Sequence, residues 1–111
     1  MSRSEAERIA DALDHLEALH RHLQRHDLAD ETVVDAVNLR LAAAIEALTG
    51  NDAMLVRRLF GDDWNLMWSV RNRIAHGYAY IDLAVVAATV RDDLPAFEEI
   101  LRQEYSRLRD G

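Results

Sequence analysis

The sequence has no cysteine and no lysine, a single proline and only four glycines. Without cysteine there are no disulfides, thiolate metal ligands or cysteine nucleophiles, which fits a reducing compartment. No apolar run reaches the roughly 20 residues that span a bilayer, and the start, Met1-Ser2-Arg3-Ser4-Glu5, lacks the hydrophobic segment of a signal peptide. The expectation is a cytoplasmic protein with no membrane contact. Basic charge is also short: the formal net charge is −7. That argues against gripping nucleic acid along the whole surface, because such binding draws its affinity from neutralised phosphates. DNA is not expected as a partner, and any nucleic-acid contact must be local. All thirteen basic residues are arginine, so each carries the planar fork that suits phosphate and carboxylate. A genome's base composition would produce the same bias.

With 111 residues, half of them hydrophobic, the chain suffices for one domain, 1–111, with its own core. Every long segment has a 3.6-residue rhythm, so the fold class is all-α. The first helix is expected from about Ser4, as N-cap, to Asp27, with Ile9, Leu13, Leu16 and Leu23 inward. His20 lies in that stripe, and His15, His22 and His26 share another. His22 and His26 have the spacing of a two-histidine metal site but no obvious companion ligand, so no metal is expected. Asp30 caps a second helix whose buried stripe is Val34, Val37, Leu41, Ile45 and Leu48, ending at Thr49-Gly50. Glu46 falls off that stripe, where solvated surface is the plain reading.

A short helical segment runs from Asn51-Asp52 to about Phe60 and carries Arg57-Arg58, a candidate phosphate contact that reads more readily as plain surface. Gly61-Asp62-Asp63 breaks it and caps a third long helix, about Asp63 to His76. Trp64 and Trp68 are expected to wedge helices apart as core or interface residues. A further helix starts near Asp82, with Leu83, Val86 and Val90 inward, and a kink is expected at Asp92-Asp93-Leu94-Pro95. From Ala96 to about Leu108 the helix resumes with Phe97, Ile100, Leu101 and Tyr105 inward, and Glu98, Glu99, Arg102 and Arg109 outside.

The odd stretch is Val70-Arg71-Asn72-Arg73-Ile74-Ala75-His76-Gly77-Tyr78. Trp64, Met67, Val70, Ile74 and Tyr78 share one helical face and Arg71 lands among them, although burying an unpaired guanidinium is very costly. The structural reading is that Arg71 snorkels to Asp62, Asp63 or a carboxylate on another helix, while His76-Gly77 is an ordinary helix end. Periodicity by itself favours that reading. The chemical reading is that arginine and histidine, without metal or cofactor, suffice to cleave RNA through its own 2′-hydroxyl. Histidine moves protons near neutral pH, arginine stabilises charge on phosphate oxygens, and Asn72, one turn before His76, is placed to orient the imidazole. Arg71 and His76 point about 140° apart on the helix, so a composite cleft needs a second copy of the motif, as a symmetric homodimer would supply.

Arg71-Asn72-Arg73-Ile74-Ala75-His76-Gly77-Tyr78 resembles the R-x4-H-x-Y signature of the HepT-like toxins, which belong to the HEPN superfamily of all-helical domains. Trp64 before the motif, Ile81-Asp82-Leu83 and Asp93-Leu94-Pro95 after it, and Ala36-Val37 through Leu41 to Glu46-Ala47 also resemble that family's pattern. The similarity covers roughly residues 30 to 101. One departure is Ile45, where the family usually has glycine.

The resemblance implies an antiparallel helical bundle of four to five helices that forms a homodimer. It implies a metal-independent ribonuclease, the toxin of a type VII toxin–antitoxin pair, with Arg71 and His76 catalytic, Asn72 assisting and no cofactor. Arg73, Arg57 and Arg58 are candidate RNA-phosphate contacts. It further implies a minimal nucleotidyltransferase antitoxin that transfers AMP to the motif tyrosine, Tyr78, with Tyr80 as the nearby alternative. A bulky anion two residues from His76 would block the cleft and repel RNA. The competing readings are a non-catalytic HEPN-type module that partners a nucleotidyltransferase, with Arg71 as a nucleotide or anion contact, and a purely structural dimerising bundle.

Overall fold

The computed structural model describes residues 3–25, 29–49, 53–76 and 87–110. The α-helices bounded within the described residues are, in chain order, α1 (Glu5–Arg25), α2 (Glu31–Ala47), α3 (Met54–Phe60), α4 (Trp64–Ala75) and α5 (Leu94–Asp110). No strand occurs among the described residues. The all-α class expected from the rhythm of the sequence is what the chain adopts. None of the described helices is long and apolar enough to cross a membrane.

Local chemistry sets the helix starts. Ser4 and Glu7 close a capping box: the Ser4 hydroxyl accepts from the Glu7 N–H at 3.1 Å and the Glu7 carboxylate accepts from the Ser4 N–H at 3.1 Å. Asp30 caps α2 by accepting from the Thr32 N–H at 2.9 Å, as its position before an apolar run predicts. The C-terminal end of α2 is held from another helix, since Arg8 donates to the Leu48 carbonyl at 3.3 Å.

Two junctions differ from the sequence expectation. Asp63 makes no side-chain cap; the chain enters α4 through a 3₁₀ turn over Gly61–Asp63 instead. Gly61 there has φ +57°, and nothing lies within 4 Å of where a Cβ would sit. Its backbone conformation, not lack of space, asks for glycine. The kink expected before Pro95 is a π-helical turn over Thr89–Asp93, in which the Leu94 N–H bonds the Thr89 carbonyl. Leu94 itself stays helical, at φ −62° and ψ −40°. The wider turn accommodates a residue that has no N–H and whose ring crowds the carbonyl four residues back.

Two cross-contacts show that α1 and α2 run antiparallel: Arg8 meets Leu48, and Arg40 meets His15. One cluster of buried side chains joins Ile9, Leu16 and Leu19 of α1, Val37, Leu41 and Ile45 of α2, Leu55 of α3, Met67 of α4 and Leu101 of α5. Each such aliphatic side chain, fully buried, contributes about 1.5–3 kcal/mol. The α2 stripe Val34, Val37, Leu41, Ile45 and Leu48 is buried throughout, as its spacing predicts. Ile45, the departure from the family pattern, is 0% exposed and belongs to this core.

The outward face of α5 needs correction. Glu98 is buried, not outside: its carboxylate meets the His20 ring at 2.7 Å and Arg102 at 2.6 Å. His20 in the apolar stripe of α1 is thus one half of a polar bridge between α1 and α5. Glu104 is also buried and holds Arg107 at 2.6 Å and Arg58 at 2.7 Å.

Candidate functional site

Helix α4 presents the motif along its second half. Arg71 lies half-buried, with 23% of its side chain exposed. Its guanidinium is gripped from three sides. One terminal nitrogen donates to the Glu46 carboxylate of α2 at 3.1 Å, and the other donates to the Asn72 side-chain oxygen at 3.2 Å. The plane lies over the Trp68 ring, 4.8 Å from its centroid, the distance of a cation–π contact. Its Nε is buried and makes no hydrogen bond among the described residues. So the oddity of an arginine in an apolar stripe resolves as a carboxylate from another helix, and that carboxylate is Glu46, not Asp62 or Asp63.

Trp68 continues an aromatic ladder. Phe97 of α5 stacks on Phe60 with centroids 4.9 Å apart, Phe60 on Trp64 at 5.8 Å, and Trp64 on Trp68 at 6.2 Å. The ladder ties α3, α4 and α5 together through Phe60, and the two tryptophans pack partly buried against the core. They also build a rigid, weakly polar platform that ends under Arg71. Stacking of this kind adds about 0.5–1.5 kcal/mol per pair beyond area burial.

His76 caps α4, at φ −82° and ψ 1°, and its N–H bonds the Asn72 carbonyl at 3.0 Å. The residue is exposed. Asn72 accepts from Arg71 through its side-chain oxygen, and its backbone carbonyl accepts the main-chain N–H of His76 as in any helix end. Helical spacing turns the Asn72 side chain towards the imidazole, and its oxygen accepts from the Arg71 guanidinium. Arg73 is exposed on the turn between them. Gly77, Tyr78 and Tyr80 of the motif, and Ile81-Asp82-Leu83 after it, lie outside the described residues.

The other candidate phosphate contacts separate. Arg58 donates to Glu5 at 3.0 Å and to Glu104 at 2.7 Å. The hydrogen bonds it donates, first to Glu5 and then to Glu104, hold its pKa above the ordinary arginine value. It is a strut between α1, α3 and α5, with its charge already answered. Arg57 is exposed on α3. Among the described residues, no group of three or more histidine or acidic side chains could hold a metal, and His26 lies outside them.

Beside the motif, α4 also borders a groove of about 300 Å³, lined by the apolar Leu66, Met67 and Val70 and by Phe97, Ala96 and Ile100 of α5, and also by the carboxylates of Asp63, Asp92 and Asp93. Leu66 is 70% exposed there.

Two residues of the site, Glu46 and Trp68, carry roles that the sequence reading does not give them. The tryptophan is within its reach, because positions three apart on a helix share a face. The carboxylate is not, since its partner is twenty-five residues away on another helix.

A family model described as "Ribonuclease HepT-like" matches residues 9–104, nearly the whole chain. No curated protein and no solved structure matches it.

Proposed function

The chain belongs to the HepT-like ribonuclease family, and we propose that it is the toxin of a toxin–antitoxin pair, an endoribonuclease working with Arg71 and His76 and without a metal. The observation that supports this reading most is Arg71 held by Glu46, Asn72 and Trp68 five residues before an exposed His76 at the end of α4. A positioned cation and an accessible proton-transfer group are the parts that in-line attack on a phosphodiester uses, and a second copy of the motif completes the cleft.

The imidazole of His76 takes the proton from the ribose 2′-hydroxyl as the 2′-oxygen bonds to phosphorus. Arg71 stabilises the added charge on the non-bridging oxygens. The bond from phosphorus to the 5′-oxygen breaks, and that oxygen takes a proton from a second imidazole or from water, leaving a 2′,3′-cyclic phosphate and a 5′-hydroxyl. DNA has no 2′-hydroxyl and is not a substrate by this route.

A homodimer brings two copies of the motif together. The exposed Leu66 and the groove beside it on α4 support this helix as the dimer face. The proposed regulator is a minimal nucleotidyltransferase that transfers AMP to Tyr78.

The test is expression in a bacterial host. Wild type slows growth and cuts RNA, while His76→Ala and Arg71→Ala each relieve toxicity; unchanged toxicity in both sinks the catalytic assignment. For the regulator, intact-mass analysis after incubation with the nucleotidyltransferase and ATP shows an AMP adduct that Tyr78→Phe lacks. An adduct retained in that variant moves the site to Tyr80.

One observation favours the second reading, a non-catalytic nucleotide- or partner-binding module: the Arg71 guanidinium is engaged by Glu46 and Asn72. On that reading purified protein binds nucleotide without cutting RNA.

A further inference from the structure

Away from the motif, α1 and α2 enclose a second concentration of positive charge. A cleft of about 160 Å³ is lined by Ala18, Arg21, His22 and Arg25 of α1 and by Arg40 of α2. In a chain of formal charge −7, three arginines and a histidine around one small cleft is not a solvated mixture of signs.

The counter-charges are few. Arg21 pairs with Glu17 at 3.2 Å, an exposed contact one helical turn away. Arg40 donates to the Nδ1 of His15 at 3.1 Å. An imidazole bears no negative charge in its ordinary protonation states, so His15 does not neutralise Arg40. Among the described residues, no carboxylate lies within ion-pair distance of Arg25 or Arg40. Arg25 also sits in the last turn of α1, where the helix dipole favours a cation in place but does not neutralise it. The bundle thus holds Arg40 at the cleft with a partner that bears no negative charge.

Size decides what fits. The volume is below the roughly 300–1,000 Å³ of a site that encloses a drug-sized molecule. A small cleft that opens to solvent suits a single phosphate presented by a longer strand. Guanidinium forks match phosphate oxygens bidentately. Arg40 lies six residues before Glu46, the partner of Arg71, hence about 9 Å along the α2 axis and about 120° around it. The cleft is a short way round the bundle from the motif.

We propose that Arg21, Arg25 and Arg40, with His22, form an accessory site for a backbone phosphate of the RNA strand, separate from the Arg71–His76 centre. The inference rests on the ribonuclease reading for the identity of the strand. It gives an acidic protein a local foothold on a polyanion, and it makes affinity depend on a phosphate other than the one attacked.

The experiment uses the full chain in a His76→Ala background, titrated with a labelled single-stranded oligouridine across a series of salt concentrations, while wild type is assayed in parallel for cleavage. Replacing Arg25 and Arg40 by Gln is expected to weaken binding about tenfold at low salt and to lower the slope of log affinity against log salt by about 0.7 for each phosphate no longer neutralised. Lysine at both positions restores the slope. If circular dichroism shows the double variant unfolded, Arg25→Gln carries the test, since Arg25 is exposed at the end of α1. An unchanged slope in a wild type that cuts RNA overturns the accessory site and leaves the ribonuclease standing. A cleft-dependent slope in a protein that cuts nothing does the reverse. Oligo-aspartate binding abolished in the variants while RNA binding is retained assigns the cleft to an acidic protein partner and overturns the proposal.

Discussion

Glu46 and Arg71 stand twenty-five residues apart in the chain and 3.1 Å apart across the contact of α2 with α4. The pair is partly exposed, with 59% of the Glu46 side chain in solvent, so it stabilises the bundle by no more than about 1 kcal/mol. Its consequence is positional: it aims the guanidinium, which rests on Trp68 and would otherwise rotate about its own long chain.

Removing the carboxylate is therefore expected to separate binding from turnover. Glu46→Ala leaves a freer, less neutralised cation, so KM for RNA falls or holds while kcat drops about tenfold, as misplaced groups do. Steady-state kinetics on a defined oligoribonucleotide read this directly. A fall in stability with no change in kcat would make Glu46 merely structural.

Arg71→Lys keeps the charge and loses both the fork and the stack on Trp68. The expected drop in kcat is about 10²–10³, comparable to deleting one oxyanion donor, with the thermal midpoint shifted by only a few degrees. Full activity in the lysine variant would show that a point charge suffices.

The acid limb of stability is expected to belong partly to Glu104. Arg107 foremost, and then Arg58, hold its carboxyl at about 2 against the opposing push of burial. An unfolded chain takes up this proton near its ordinary pKa and the folded chain does not, so the contribution is full above about pH 5 and is lost as pH falls towards about 2. Urea midpoints measured from neutral to acid pH should fall less steeply for Glu104→Gln than for wild type. The variant should already be about 1–3 kcal/mol weaker at neutrality, because Arg107 loses its charged acceptor. Parallel curves would remove Glu104 from the account.

Ile45 tests how far this chain has departed from the family pattern. Its side chain is fully buried, so Ile45→Ala should cost about 2–5 kcal/mol. Ile45→Gly, the family's usual residue, should cost about 1 kcal/mol more for its place in a helix. Chemical denaturation measures both; a stable glycine variant would mean that α4 closes onto α2 to fill the space.

Whatever depends on near neighbours is legible in the order of residues. The caps at Ser4 and Asp30, the buried stripe of α2, the break at Gly61 and the disturbance before Pro95 all follow from residues within about one helical turn, where propensity and hydrogen-bond supply act. The motif, too, is readable as a string, and with it the family. How charges pair is a matter of packing. By local rules Arg71 could meet Asp62 or Asp63, and Glu98 belongs on the outward face of its helix. Yet buried or half-buried charges take whichever partner the packing brings within reach, and those partners are Glu46 for Arg71 and His20 for Glu98, which also holds Arg102 one turn along its own helix. Helix periodicity says which way a side chain points, but only the docking of α2 against α4, driven by nondirectional apolar burial, places Glu46 within reach of Arg71.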